Sequence, residues 1–302
     1  MKKFICVVIA LFSIVLSPDL ALAGAPLVTL DLWPGTPPGQ MAKLGPEKTN
    51  PTNGMLTNIS TPTITVYRPD KGNDTGTTIL VCPGGGFTSL SMENEGTKFI
   101  TWLNSVGITG VLLKYRVPYQ QGTPRYLAGM QDGQRAMSLV RSKAAEWKID
   151  PNRIGILGFS AGGEVAVDVS TNFDKLSYDA IDEIDKTSSR PDFALAIYPG
   201  GLRPKGSTDG SLSPDVHPSK DTPTTFICVA HDDRYGAEDA VYYYLALKRA
   251  GVNTELHVYS EGGHGFGMHA STAPHGTWTA RAWDWMNYHK FLQPTDATTR
   301  PQ

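Results

Sequence analysis

Cysteine is scarce in this sequence: its 302 residues include three, Cys6, Cys82 and Cys228. Cys6 lies in an N-terminal apolar segment that we expect to be removed, so only the other two could pair. A disulfide requires close Cα atoms and matching Cβ directions, which two strands of one sheet offer only when they are adjacent. We therefore expect Cys82 and Cys228 to be buried free thiols, with a disulfide as the alternative.

Runs of basic residues are also lacking, and the net charge at pH 7 is −2. Nothing in this balance argues for nucleic acid or an anionic membrane surface as a partner. A neutral substrate such as a sugar is compatible with the charge but does not follow from it.

The N-terminal apolar run, residues 4–16, is short for a membrane span. Lys2 and Lys3 precede it, and the small-residue site Ala21-Leu22-Ala23 follows it. This order is typical of a secretory signal peptide. We expect residues 1–23 to be cleaved after Ala23, which leaves a secreted or periplasmic protein with no stable membrane insertion. An uncleaved membrane anchor is the alternative.

Apolar strand-like segments alternate with amphipathic helical ones along residues 24–302, which we expect to form one domain. This alternation predicts an α/β fold, a three-layer α/β/α sandwich with a mostly parallel central sheet. Residues 34–62 are rich in Pro, Gly, Asn and Thr. They are expected to form most of an irregular N-terminal arm at about 24–62. The acidic segment 178–192 is expected to be a surface loop, with a lid as the alternative. The predicted strands are residues 63–67 (an edge strand), 77–82, 109–115, 153–157, 193–198, 225–229 and 255–259. The predicted helices are residues 128–147, 240–250 and 278–291, with another before Gly107.

The segment 154–163 carries the most informative motif, Gly158-Phe159-Ser160-Ala161-Gly162 after an apolar run. Gly-x-Ser-x-Gly between a strand and a helix is the pattern of a nucleophile elbow. The sharp turn leaves no room for Cβ atoms at its flanks, which accounts for both glycines. The helix that follows directs N–H groups toward charge that develops beside Ser160. An ordinary strand-to-helix turn is the alternative reading of this motif.

A serine hydroxyl needs a base to become a nucleophile, and the base needs an orienting acid. His264 stands in a glycine-rich loop, residues 261–267, after a predicted strand, as the base of such a site should. The acid should follow the strand at 225–229, where both Asp232 and Asp233 stand. The residues alone do not choose between these two carboxylates. The one not used would cap the next helix or bind the turn.

A third segment, Cys82-Pro83-Gly84-Gly85-Gly86-Phe87, follows a buried predicted strand. Glycines there let backbone N–H groups approach a tetrahedral oxyanion, and the amide of Ala161 adds a further donor. A flexible turn is the alternative reading.

With these residues in view, the sequence resembles the acetyl xylan esterase-like group of exported α/β-hydrolases, which shares features with dienelactone hydrolases. The resemblance extends over nearly all of residues 24–302. It is carried by residues 32–35, 38–39, 61–69, 95–96, 102–104, 113–117, 132 with 134–136, 158–163, 198–200 and 255–267.

The resemblance implies Ser160 as nucleophile, His264 as base and Asp233 as acid, with Asp232 as the alternative. It implies Gly85, Gly86 and Ala161 as the oxyanion hole. It also implies hydrolysis of short acyl esters of carbohydrates, most of all acetyl esters, without metal or organic cofactor. Glu164 departs from the group's pattern, which often has histidine there. Arg234-Tyr235-Gly236 departs in the turn after the acid.

Three other functions are alternatives. A peptidase or another carboxylesterase could use the same triad, although such peptidases usually carry a further large domain. A non-catalytic carbohydrate-binding protein could keep the fold, but binding would not require Ser160 and His264 together. A metal site could use His264, His269 and His275 with the two aspartates, but their spacing matches no strong zinc pattern.

Overall fold

The computed structural model describes residues 24–40, 44–70 and 72–293 of the chain. The predicted leader, residues 1–23, lies outside these ranges, so its cleavage stays a prediction. Within them, every helix is too short or too polar to cross a lipid bilayer.

An eight-stranded sheet, in the order β1-β4-β6-β5-β7-β8-β9-β10, forms the centre of the fold. The strands from β6 to β10 along this order pair in parallel, whereas β1 and β4 are antiparallel to their neighbours. A separate antiparallel pair joins β2 to β3. The strands are β1 Val28–Asp31, β2 Lys48–Thr49, β3 Leu56–Thr57, β4 Thr63–Tyr67, β5 Thr78–Cys82, β6 Thr109–Lys114, β7 Ile154–Phe159, β8 Phe193–Ile197, β9 Thr224–Ala230 and β10 Thr254–Tyr259.

Helices follow most of the parallel strands. The α-helices in the described ranges are α1 Lys98–Ser105, α2 Leu127–Ser142, α3 Ala144–Trp147, α4 Ala161–Thr171, α5 Ala237–Arg249 and α6 Trp278–Tyr288. One π-helical turn, Glu93–Thr97, precedes α1, and 3-10 turns lie at Glu183–Lys186 and Pro274–Thr277.

The core lies on both faces of the sheet, and the strands β5, β7 and β8 are buried at every position. Such strands must be apolar throughout, because neither face meets water. One core cluster includes Phe99 of α1 stacked on Trp278 of α6, with ring centroids 5.6 Å apart. The other includes Met137 of α2 and Val165 of α4. The predicted three-layer α/β/α architecture is therefore confirmed.

The N-terminal arm differs from its prediction. Residues 24–62 are not irregular throughout, since they contain β1, β2 and β3. The strand β1 pairs antiparallel with β4, so β4 is not the edge strand that the sequence predicts. The exposed and half-buried positions of β1 alternate, as befits an edge with one face over the protein.

Three smaller predictions have mixed outcomes. The helix predicted at 128–147 is interrupted at Lys143, which separates α2 from α3. Cys82 and Cys228 are buried free thiols, as predicted, and burial raises the pKa of both. The acidic segment 178–192 packs against α2, where Asp182 and Asp185 bind Arg135.

Asp132, on α2, connects the N-terminal arm to the segment that follows strand β6. Its buried carboxylate accepts hydrogen bonds from Trp33 Nε1 at 2.8 Å and from the Arg116 backbone N–H at 2.9 Å and side-chain Nε at 3.0 Å. The Arg116 guanidinium donates further to the Pro38 carbonyl at 2.7 Å. One carboxylate therefore connects two parts of the arm to the centre of the fold.

The Asp132→Ala variant is expected to lose about 3–5 kcal/mol of unfolding free energy, because it leaves the buried Arg116 charge unpaired. Urea unfolding monitored by circular dichroism measures this loss. Asp70→Ala, at an exposed aspartate, is the control and should change stability by less than about 0.5 kcal/mol. If the urea midpoint of Asp132→Ala equals that of the control, Asp132 does not stabilise the attachment of the N-terminal arm.

Candidate active site

Ser160 occupies a strained turn between β7 and α4. Its φ is 54° and its ψ is −118°, values that a non-glycine residue holds only when its surroundings impose them. A Cβ on Gly158 would lie 1.8 Å from the Gly162 carbonyl oxygen, and one on Gly162 would lie 2.0 Å from the Cys82 carbonyl oxygen. Both glycines are therefore sterically required, as the motif predicts.

Ser160, His264 and Asp233 lie in one chain of hydrogen bonds. The distance from Ser160 Oγ to His264 Nε2 is 2.7 Å, and that from His264 Nδ1 to Asp233 Oδ2 is 2.8 Å. The Asp233 side chain is fully buried, and that of His264 is 20 % exposed. The carboxyl ends of the parallel strands β7, β9 and β10 meet at one edge of the sheet, which brings these residues together.

The two adjacent aspartates make different contacts. Asp233 Oδ1 accepts hydrogen bonds from the backbone N–H groups of Tyr235 at 2.8 Å and Gly236 at 3.3 Å, which leaves Oδ2 directed at the imidazole. Asp232 Oδ1 accepts the Gly263 N–H at 2.8 Å instead. Asp232 thus holds the loop that carries the histidine, while Asp233 holds the ring itself.

The glycine-rich loop after β5 lies against the serine. Gly85, Gly86 and Ala161 line the same cavity as Ser160. Gly85 has a φ of 141°, and a Cβ there would lie 1.8 Å from the Ser89 carbonyl oxygen, so the loop conformation excludes a side chain.

Glu95 supports this loop and was not singled out as a functional residue by the sequence. Its carboxylate accepts the Gly84 N–H at 2.7 Å and the Tyr198 hydroxyl at 2.7 Å. Burial raises the pKa of Glu95, while the hydrogen bonds from Tyr198 and Gly84 and the nearby His264 lower it. Because Tyr198 also contacts the His264 ring, at 5.1 Å between centroids, Glu95 connects the glycine loop to the imidazole.

A cavity of about 1260 Å³ opens above these groups. Its wall combines apolar surface with a set of charged side chains, namely Arg125, Glu164, Arg203, Lys205 and Asp215. None of residues 178–192 belongs to its lining, so the acidic segment does not cover it. The space is large enough for several sugar rings, and its charged side chains offer donors and acceptors for hydroxyl groups beside apolar surface.

The histidines of the alternative metal site do not converge. Both ring nitrogens of His264 are engaged by Ser160 and Asp233. His275 Nδ1 lies 3.1 Å from the Glu261 carbonyl oxygen. Within the described ranges, no group of three close ligands includes a histidine.

Three features define an α/β-hydrolase fold: the parallel sheet, the strained serine turn after strand β7 and the histidine loop after the last strand.

Comparisons with known proteins agree with this fold assignment. A family model described as BD-FAE matches residues 64–197. The structure resembles that of an acetyl ester-xyloside bifunctional hydrolase from Caldicellulosiruptor lactoaceticus, with 31% identity and a TM-score of 0.70, and the match covers 88% of this chain and 97% of that one.

Two further relatives are an acetylxylan esterase from Xylanibacter ruminicola and an esterase from Thermogutta terrifontis. The first is 32% identical over 216 residues, which are 68% of this chain and 43% of the relative. This chain therefore matches less than half the length of that relative. The second is 21% identical with a TM-score of 0.68, covers 92% of this chain and 98% of the other, and supports the fold alone. The chain belongs to the same family of the α/β-hydrolase fold as the Caldicellulosiruptor lactoaceticus hydrolase.

Proposed function

We propose that the protein is an exported serine esterase that removes short acyl groups, above all acetyl, from carbohydrates such as xylan or xylo-oligosaccharides. The observation that carries this proposal is the hydrogen-bonded chain from Ser160 through His264 to Asp233, which borders a large cavity with charged side chains in its wall. The two relatives above 30% identity support the substrate class, since one is named for acetylxylan and the other for an acetyl ester and a xyloside.

The reaction proceeds in two steps on these groups. His264 Nε2 takes the proton of Ser160 Oγ as the oxygen attacks the acyl carbonyl carbon, and Asp233 stabilises the imidazolium that forms. The imidazolium then gives this proton to the sugar oxygen as its bond to the acyl carbon breaks. Water repeats the sequence: His264 takes its proton, the new C–O bond forms, and Ser160 recovers the proton as the acid leaves.

The tetrahedral oxygen of both steps carries negative charge. We assign its stabilisation to the backbone N–H groups of Gly85, Gly86 and Ala161, which border the cavity beside the serine. One well-placed donor of this kind lowers the activation barrier by about 3 kcal/mol. The amide of Ala161 also begins α4, whose N-terminal dipole favours the same charge.

A substrate panel tests this function. Acetate release from acetylated xylan and acetylated monosaccharides should exceed turnover of feruloyl esters, glucuronoyl esters and aminoacyl amides. Turnover of the aminoacyl amide alone would indicate a peptidase instead of an esterase. Turnover of none of these substrates would indicate a non-catalytic carbohydrate-binding protein.

Export and the domain limits, residues 24–302, are also part of the proposal. The N-terminus of the exported protein should be Gly24, and an N-terminus that retains the leader would contradict cleavage.

Glu95→Ala is expected to lower kcat by about 10- to 100-fold with little change in KM, because the glycine loop loses the acceptor of the Gly84 N–H. The assay is acetate release over a range of substrate concentrations. Glu93→Ala, at an exposed glutamate of the same helical turn, is the matched control and should retain the wild-type kcat. An unchanged kcat in Glu95→Ala, or a rise in KM alone, would show that Glu95 does not position the loop.

A further inference from the structure

Three carboxyl groups meet at the wall of the cavity, which Glu164 and Asp215 line and beside which Asp168 is buried. Glu164 and Asp168 lie one turn apart on α4, and Asp215 comes from the segment between β8 and β9. One carboxylate oxygen from each lies within 4.8 Å of the others. Glu164 is the residue at which the chain departs from the pattern of its sequence group. Glu164 and Asp168 are almost completely buried.

The positive charge that is paired with these three carboxyl groups is less than their combined negative charge. Arg125 Nη2 donates to Glu164 Oε2 at 2.5 Å. No donor within the described residues reaches either oxygen of Asp168, although its side chain is fully buried, and none reaches Asp215 Oδ2. Asp168 lies close enough to Asp215 for the two carboxyls to share a proton. A buried carboxylate without donors is costly, so the site requires either bound protons or a bound cation.

Other titratable groups approach the cluster: His217 lies near Asp215, Tyr126 near all three carboxyls and Asp239 near Glu164. The three carboxylates repel one another when they are ionised at this separation, and a positive charge placed between them would relieve the repulsion.

We propose that Glu164, Asp168 and Asp215 bind a calcium ion. The donor set contains only oxygen, which favours hard cations over zinc or copper. Calcium binds oxygen at about 2.3–2.6 Å, so its ligands can stand up to about 5 Å apart, and the three oxygens lie within that limit. Calcium also accepts several carboxylates in a flexible geometry, whereas Mg²⁺ keeps most of its waters. The open cavity beside Glu164 and Asp215 gives the ion its path of entry.

The ion would connect the segment that carries Asp215 to α4, the helix that begins directly after Ser160. Its role is thus structural, at the wall of the proposed substrate cavity. The inference is independent of the reaction and departs from the sequence expectation of no metal.

Isothermal titration calorimetry of the chelator-treated protein with calcium chloride tests the proposal. One ion per chain should bind, and calcium should raise the midpoint of thermal unfolding. Asp168→Asn and Asp215→Asn should each weaken binding at least about tenfold, because each removes a charged ligand. Asp221→Asn, at an exposed aspartate of the following turn, should bind calcium like the wild type.

Two results would overturn the site. Wild-type protein that shows neither binding heat nor a shift of its midpoint up to about 10 mM calcium, beyond the range of weak calcium sites, would show that the carboxyls hold protons instead. Binding that persists unchanged in Asp215→Asn would place the ion elsewhere. Asp215 is half-buried, so this variant serves even if Asp168→Asn fails to fold.

Discussion

Ser160→Ala is expected to lower acetate release from acetylated xylo-oligosaccharides by at least about 10⁴-fold, because the proposed acyl-enzyme forms on the Ser160 hydroxyl. The alanine keeps the strained turn, so the variant should have the circular dichroism spectrum and thermal midpoint of the wild type. Initial rates measured by a coupled acetate assay give the loss.

The control for this variant is Ser213→Ala, which removes the hydroxyl of another serine in the cavity wall. Its rate should stay close to that of the wild type. A Ser160→Ala variant that retains more than about one hundredth of the activity would show that the acyl group is not transferred to this serine.

Asp233→Asn should lower kcat by about 10³- to 10⁴-fold, because an amide can present N–H₂ to His264 Nδ1 and so impose the wrong tautomer. Asp232→Asn is the matched comparison. Its Oδ1 can still accept the Gly263 N–H, so the loss should stay below about tenfold. Steady-state kinetics of the two variants on one acetylated substrate measure both losses.

The order of these two losses decides which aspartate is the acid. A larger loss in Asp232→Asn than in Asp233→Asn would reverse the assignment. Equal and small losses would contradict the hydrogen-bonded chain as a catalytic unit, although Asp233 lies 2.8 Å from the imidazole.

The sequence predicts the parts of the site that have local patterns. Glycines on both sides of Ser160 mark a turn where a Cβ would collide with backbone carbonyls, and the structure contains those close approaches. The glycine-rich loop around His264 follows an apolar strand in the same way. Because these features depend on backbone conformation within a few residues, they can be recognised without knowledge of the fold.

The choice between Asp232 and Asp233 has no such local signal. Both follow β9, and both bind the loop or ring of His264, 31 residues away. Their directions depend on the turn at 230–236, where the Asp233 N–H binds the Ala230 carbonyl and its Oδ1 accepts the Tyr235 N–H. Only the resemblance to a known family favoured Asp233 from the sequence.

Contacts between distant segments account for what the sequence does not predict. Glu95 belongs to a π-helical turn, and its role depends on Tyr198, which is 103 residues away. The strand β1 directly precedes the proline- and glycine-rich residues 34–62, and it pairs with β4, which lies more than 30 residues further along the chain. Glu164 and Asp168 are one turn apart on a helix, but the third carboxyl comes from an irregular segment.

Reaction of the wild-type protein with a fluorophosphonate, followed by peptide mass spectrometry, tests the central claim most directly. We predict one adduct per chain, on the peptide that contains Ser160, and loss of acetate release in proportion to its formation. Full acetate release from protein in which Ser160 stays unmodified, or an adduct on another residue that alone abolishes activity, would contradict the account.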